Sequence, residues 1–173
     1  MKLISGAVLV LAVIGAASAV AQDSPFKTDA AGANSSSSVH SKAEAVRYLF
    51  PEQVSVAAGK DAVIDLHFKV NEGMHINSHT PRDKNLIATR LIVAEPQGMK
   101  IGPVDFPVGS DYALAAMPSE KLSVYSGEFV IHAHVQATAG QHMLEGALRY
   151  QACDVNSCYP PRQAPIAVSV IAK

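Results

Sequence analysis

From residue 62 to residue 70 the chain alternates with a period of two: Ile64, Leu66, Phe68 and Val70 fall on one side, Val63, Asp65, His67 and Lys69 on the other. Side chains of a strand point alternately to its two faces, so this pattern predicts a strand covered on one side. Residues 129–137 repeat it, with Phe129, Ile131, Ala133, Val135 and Ala137 set against Val130, His132, His134 and Gln136, until Ala139-Gly140 breaks the run. Residues 144–150 and 166–171 alternate as well, Leu148 with Tyr150 and Val168 with Val170. Weaker strands are predicted around Val54 and Val56, before the turn Gly59-Lys60-Asp61, and over residues 90–94, ended by Glu95-Pro96-Gln97-Gly98. Asn71-Glu72-Gly73 is a further turn, and residues 102–107 hold too many prolines for a central strand. Helical periodicity is weak, and only residues 43–49 suit a short helical turn. About seven short strands, spaced roughly 8–15 residues apart, predict an all-β fold: a single antiparallel β-sandwich domain of roughly 130 residues, immunoglobulin-like in size. The longest stretch without a strand signal is 107–123, a length at which loops in compact domains usually carry function.

The segments before the sandwich read differently. Lys2 supplies a positive start, residues 3–15 an apolar run, and Ala17-Ser18-Ala19 or Ala19-Val20-Ala21 a small-residue cleavage site. Residues 1–21 are therefore expected to be a secretory signal peptide, in preference to an uncleaved anchor. Residues 22–42, rich in Ser, Ala, Gly and Asp and including Ser35 to Ser38 in a row, offer little apolar surface to offset ordering entropy and read as a flexible linker. The sandwich domain is expected over residues 43–173. No later stretch reaches the ~20 apolar residues of a membrane helix, so no span is expected after signal cleavage. An exported protein works where disulfides persist. The net charge is −1, with 14 basic residues scattered among 15 acidic ones, so the electrostatic footprint of a nucleic-acid binder is missing.

The chain has two cysteines, Cys153 and Cys158, in the run YQACDVNSCYPP at 150–161. A bridge closing about six residues stabilises by roughly 2 kcal/mol, against ~4.7 for a hundred-residue loop. Such a bridge is a poor staple, which favours a redox role, yet spacing alone leaves a turn-pinning disulfide equally open. The pair follows a strand ending at Tyr150 and precedes Pro160-Pro161, which excludes ladder pairing there and sets the cysteines at a strand end near the surface. The charges nearest Cys158 are Asp154, which raises a thiol pKa, and Arg162, which lowers it, so a slow, partner-gated thiol is expected. Seven His and five Met include the close pairs Met74-His75, His132-x-His134 and His142-Met143. His with Met suits copper in an oxidising compartment. No third ligand at fixed spacing joins them, and no metal site is assigned. Neither G-x-S-x-G nor H-E-x-x-H occurs, so nothing points to a hydrolase.

The cysteine run resembles the active-site segment of the N-terminal periplasmic domain of the membrane thiol:disulfide interchange protein DsbD. GMHINSHTP at 73–81, LIATRL at 86–91 and VYSGEF at 124–129 agree in order, so the resemblance spans roughly residue 46 to the end. It implies an immunoglobulin-like sandwich in the periplasm that passes reducing equivalents by thiol-disulfide exchange, with no cofactor. The expected partners are periplasmic thioredoxin-fold proteins. It gives Cys158 the role of nucleophile and Cys153 that of resolving thiol. His75 and Asn77 match positions near the disulfide, with a hydrogen-bonded strand end as their other reading, and Tyr159 adjoins the nucleophile. In that family a cap loop shields the disulfide, and the matching region is 107–123, with Tyr112, Leu114, Met117 and Leu122 as candidate cap residues. Well-known members of the family have one more residue between the cysteines and continue into a membrane-embedded electron-transfer domain. A separate membrane electron-transfer protein is therefore the expected donor. The alternatives are a structural or interaction sandwich with an inert disulfide and, after it, a periplasmic copper-binding protein.

Overall fold

The computed structural model describes residues 44–49, 53–114 and 117–173, with Met117 described by its backbone alone. The expected signal peptide and linker, and residue 43, lie outside the described residues. Within them the chain forms twelve strands and no helix. Three four-stranded sheets result.

The first sheet has the order β1 (Val46–Tyr48), β3 (Asp61–Val70), β9 (Glu128–Ala137), β6 (Met99–Asp105), antiparallel throughout. The second has the order β2 (Gln53–Val56), β12 (Arg162–Ala172), β10 (Gly140–Tyr150), β5 (Arg90–Val93), with β2 parallel to β12 and the other neighbours antiparallel. Ile64, Leu66, Phe68 and Val70 of β3 and Ile131, Ala133 and Val135 of β9 are buried, as their alternation demands. They share one apolar core with Leu144, Leu148 and Tyr150 of β10 and Ile166, Val168 and Val170 of β12. This is the all-β sandwich, with apolar positions of each sheet turned inward.

Two expectations are corrected in these sheets. Residues 46–48 form β1 rather than a helical turn: Val46 and Tyr48 pair with Val70 and Phe68 of β3, and Arg47 between them is exposed. A three-residue alternation beside a free strand edge is satisfied by pairing, whereas an isolated helical turn gains too few hydrogen bonds to nucleate. The proline-bearing segment also pairs. β6 holds Pro103 but lies at the edge of its sheet, with the register shifted between Ile101 and Val104. Edges and bulges are where a residue without an N–H is tolerated.

The third sheet was not expected. It has the order β11 (Ala152–Cys153), β4 (His75–Asn77), β8 (Met117–Tyr125), β7 (Ser110–Leu114), all antiparallel. The stretch 107–123, expected as a loop, is thus mostly a β-hairpin. Ile76, Tyr125 and Ala152 of this sheet join the main core. Through them the small sheet is seated on the sandwich. Tight turns feed it: residues 71–74 lead from β3 into β4, and Gly127, at φ 63°, follows β8 at the entry to β9. No helix among the described residues is long and apolar enough to cross a membrane.

Candidate redox site

β10 pairs with β12 along its whole length, from Gly140↔Ala172 to Tyr150↔Arg162. Residues 151–161 are therefore the hairpin connection between two long strands, and they carry both cysteines. Immediately after Tyr150 the chain changes sheets: Ala152 and Cys153 form β11 and pair with Ile76 and His75 of β4.

Cys153 and Cys158 are joined by a disulfide, S–S 2.02 Å, with their Cα atoms 3.9 Å apart. The two residues face each other as an isolated antiparallel bridge. On one side of them Asp154 N–H donates to Ser157 O (2.9 Å), on the other Tyr159 N–H donates to Ala152 O (2.8 Å). Facing pairs between such hydrogen bonds are the sites of closest Cα approach in an antiparallel ladder. The loop is thus a miniature hairpin with the disulfide across it.

Asp154 organises its tip. Oδ1 accepts from the N–H groups of Asn156 (2.8 Å) and Ser157 (2.9 Å), and Oδ2 accepts from the Tyr159 hydroxyl. This is the local side-chain turn that Asp favours. Gln151 braces the other end, accepting from Asn77 Nδ2 at 3.2 Å and donating from Nε2 to Tyr159 O at 3.3 Å. Asp154 therefore has a structural task beyond its charge, and the turn signal Asp-x-Asn-Ser was present in the sequence. Among the described residues no peptide bond is cis, so Tyr159–Pro160 is trans.

The two sulfurs sit in different environments. Cys153 is 1% exposed, whereas Cys158 lies among exposed residues, with Val155 at the loop tip 62% exposed. Of the two residues, only Cys158 is exposed.

Register places several candidate residues with Cys153. Directly opposed residues of antiparallel strands project from the same face. Cys153 opposes His75, Asn77 opposes Val124, and Leu122 opposes Tyr112. Two-residue alternation puts all six on one face of the small sheet, opposite to the face that carries Ile76, Tyr125 and Ala152. On that face the ring of Tyr112 lies 4.0 Å from the ring of His75, tilted by 31°. His75 is 2% exposed, and its Nε2 has no hydrogen-bond partner. Burial holds the imidazole below its ordinary pKa, while the carboxylate of Asp154 pulls the other way.

Asn77 ends β4 fully buried, and its Oδ1 has no hydrogen-bond partner. Its Nδ2 donates to Ile87 O (3.0 Å) as well as to Gln151, and its carbonyl accepts from Thr89 Oγ1. Leu114, half-buried, stands where the β7–β8 register shifts and opposes Met117. The Met117 side chain lies outside the described residues.

The hairpin that replaces the expected cap loop is tied at its base. The Tyr125 hydroxyl donates to Pro107 O (2.9 Å) and accepts from His79 N–H (3.1 Å). The His79 ring stacks on Phe106, and Ser78 Oγ and Ser123 Oγ share a buried hydrogen bond of 2.9 Å. Asp111 pairs with Arg82 and with Lys121. None of these anchors was singled out from the sequence.

The histidines considered for copper have other partners. His132 Nδ1 lies 2.7 Å from Asp65 Oδ1 and His134 Nε2 lies 2.9 Å from Asp105 Oδ2, on the outer face of the first sheet. His142 contacts the carbonyls of Gln97 and Thr138. Among the described residues no three His, Cys, Asp or Glu side chains are gathered as metal ligands.

No protein-family profile and no curated protein matches the chain. Among solved structures, the chain is similar to the N-terminal domain of DsbD from Neisseria meningitidis in its reduced form, at 19% identity and a TM-score of 0.40, over 65% of this chain and 80% of that one. It is also similar to the N-terminal periplasmic domain of ScsB from Proteus mirabilis, at 15% identity and a TM-score of 0.46, over 66% of this chain and 42% of that one. Amebosin follows at 12% identity and a TM-score of 0.35, over 70% and 88% of the two chains. These are distant likenesses of fold.

Proposed function

We propose that the protein is a periplasmic thiol-disulfide exchange relay in which Cys158 is the exchanging sulfur and Cys153 resolves the mixed disulfide. The observation that carries this reading is the asymmetry of the pair: an accessible Cys158 bonded, within a six-residue loop, to a Cys153 that is 1% exposed. Exchange needs a thiolate with access to a partner sulfur and a second thiol close enough to expel that partner.

In the reduced protein the Cys158 thiolate attacks one sulfur of a partner disulfide. The partner's S–S bond breaks, and its other sulfur leaves as a thiolate and takes up a proton. Cys153, having lost its proton, then attacks Cys158 Sγ. The intermolecular S–S bond breaks, the partner departs as a dithiol, and the Cys153–Cys158 disulfide remains. Two electrons have passed to the partner, and a donor dithiol restores the protein by the reverse chemistry. Thioredoxin-fold proteins suit the partner role because they present one accessible sulfur of a close pair, and a membrane electron-transfer protein suits the role of donor.

The decisive experiment is a Cys153→Ser variant exposed to a periplasmic extract. Mixed disulfides between Cys158 and thioredoxin-fold proteins are expected to accumulate. If none is trapped while Cys158 still reacts with an alkylating agent, the relay reading fails. Inert structural bridges have reduction potentials below about −300 mV. A potential above that value is expected here.

A further inference from the structure

Resolution of a mixed disulfide requires Cys153 to lose a proton while buried, and water has little access to it. Cys153 directly opposes His75 across β11 and β4, so the two side chains leave the same face of the small sheet. His75 is 2% exposed, and its Nε2 is buried without a hydrogen-bond partner. A buried polar atom left unpaired is costly and calls for a physical reason. In the disulfide state Cys153 carries no proton, so an acceptor beside it has nothing to accept. Reduction creates an S–H group on that face.

We infer that His75 is the proton acceptor for Cys153, taking the thiol proton onto Nε2 as Cys153 attacks Cys158 Sγ, and that Tyr112 and Asp154 hold it for this task. This inference rests on the relay reading and adds to it the residue that makes the second step competent. The step balances: the S–H bond of Cys153 breaks, its proton goes to His75, and its electron pair forms the bond to Cys158 Sγ. The bond from Cys158 to the partner sulfur breaks, and that sulfur leaves as a thiolate. The groups that face the imidazole are the Tyr112 phenol from β7, Cys153 from β11 and the Asp154 carboxylate from the loop. Asp154 attracts the transient imidazolium. The neutral form that burial favours keeps Nε2 able to accept.

The test uses the reduced full-length protein and the aromatic disulfide 5,5′-dithiobis(2-nitrobenzoate). Attack by Cys158 releases a first equivalent of coloured thiolate, and attack by Cys153 on Cys158 releases a second, so one trace times both steps. With His75 as acceptor, the second step in the wild-type protein changes little between pH 6.5 and 8. Over that interval the thiolate fraction of a thiol with pKa about 8.5 rises about twentyfold, and an unassisted step follows it. In a folded His75→Gln variant the second step is slowed about tenfold at pH 7, where only about 3% of such a thiol is ionised, and the steep pH dependence returns. The first step is unchanged. A wild-type second step that tracks the thiolate fraction overturns the inference, and so does a folded His75→Gln protein with the wild-type rate and profile. Should His75→Gln not fold, the wild-type profile alone decides. A first release from Cys153 instead of Cys158 removes the relay reading itself, and this inference with it.

Discussion

The hydroxyl of Tyr159 donates a hydrogen bond to the carboxylate of Asp154, across the same small loop that the disulfide closes. Together with the two backbone N–H groups held by Asp154 Oδ1, this contact shapes the loop without help from sulfur. These hydrogen bonds predict that Cys153 and Cys158 stay facing each other after reduction, the arrangement that resolution of a mixed disulfide needs.

Tyr159→Phe removes the hydroxyl that makes that contact. A hydrogen bond to a charged group contributes about 1.5–3 kcal/mol, and the partial exposure of Asp154 puts the cost at the lower end. Urea unfolding of reduced wild-type and variant proteins measures it. Identical midpoints would mean that this hydrogen bond does not hold the reduced loop.

The burial difference between the two sulfurs predicts an order of alkylation. In the reduced protein, iodoacetamide is expected to label Cys158 at least about tenfold faster than Cys153, because only an accessible thiolate reacts. Mass spectrometry of peptides after a short pulse reads the ratio. Equal labelling contradicts the roles given to the two residues.

The stability of the fold should depend on pH through His75. Its folded pKa lies below its unfolded value of about 6.5, so below that pH the unfolded chain binds a proton that the folded chain resists. Stability is full above about pH 6.5 and falls as the pH drops below that value, until the folded imidazole itself protonates. Thermal unfolding at pH 7.5, 6.5 and 5.5 should show the decline, and His75→Gln should flatten it. An unchanged slope in the variant would assign the decline to other groups.

Tyr112→Ala removes the ring that lies on His75. An aromatic pair of this kind contributes about 0.5–1.5 kcal/mol beyond its buried area, equivalent to about two- to tenfold in an opening equilibrium. In the reduced protein, alkylation of the buried Cys153 thiol is expected to accelerate by that factor, followed in a quenched time course. A rate equal to the wild type would show that the β7–β8 hairpin does not govern access.

Gly109 is fixed by space instead of by dihedral angle. A Cβ there would stand 2.3 Å from Ser123 Oγ and 2.7 Å from Ser78 Cβ. Gly109→Ala must part the buried Ser78–Ser123 pair, at a cost of about 1–3 kcal/mol. Calorimetry of the variant checks the loss, and a neutral result would mean that the hairpin base relaxes freely.

What the sequence disclosed follows from where burial is one-sided. β3 and β9 alternate over ten residues each, and their apolar faces could be read directly. The β7–β8 hairpin could not be read in this way, because Ser110, Asp111, Glu120 and Lys121 give it a polar outer edge and Pro118 interrupts it. Its pairing with β4 is a tertiary event, and β4 itself has three residues. Cys153 and Cys158 stood out by rarity. His75 and Asn77 were singled out through a resemblance, and their common face with Cys153 is a matter of register that no local pattern carries.

Tyr150 and Arg162 close the ladder between β10 and β12 at the mouth of the cysteine loop. The sandwich thus ends where the cysteine loop begins, and the length of that loop is a free variable. One more residue between Cys153 and Cys158 would lengthen the tip without shifting a single sandwich pair. A fold with this junction can change its cysteine loop by editing a dozen positions while its foundations stay as they are.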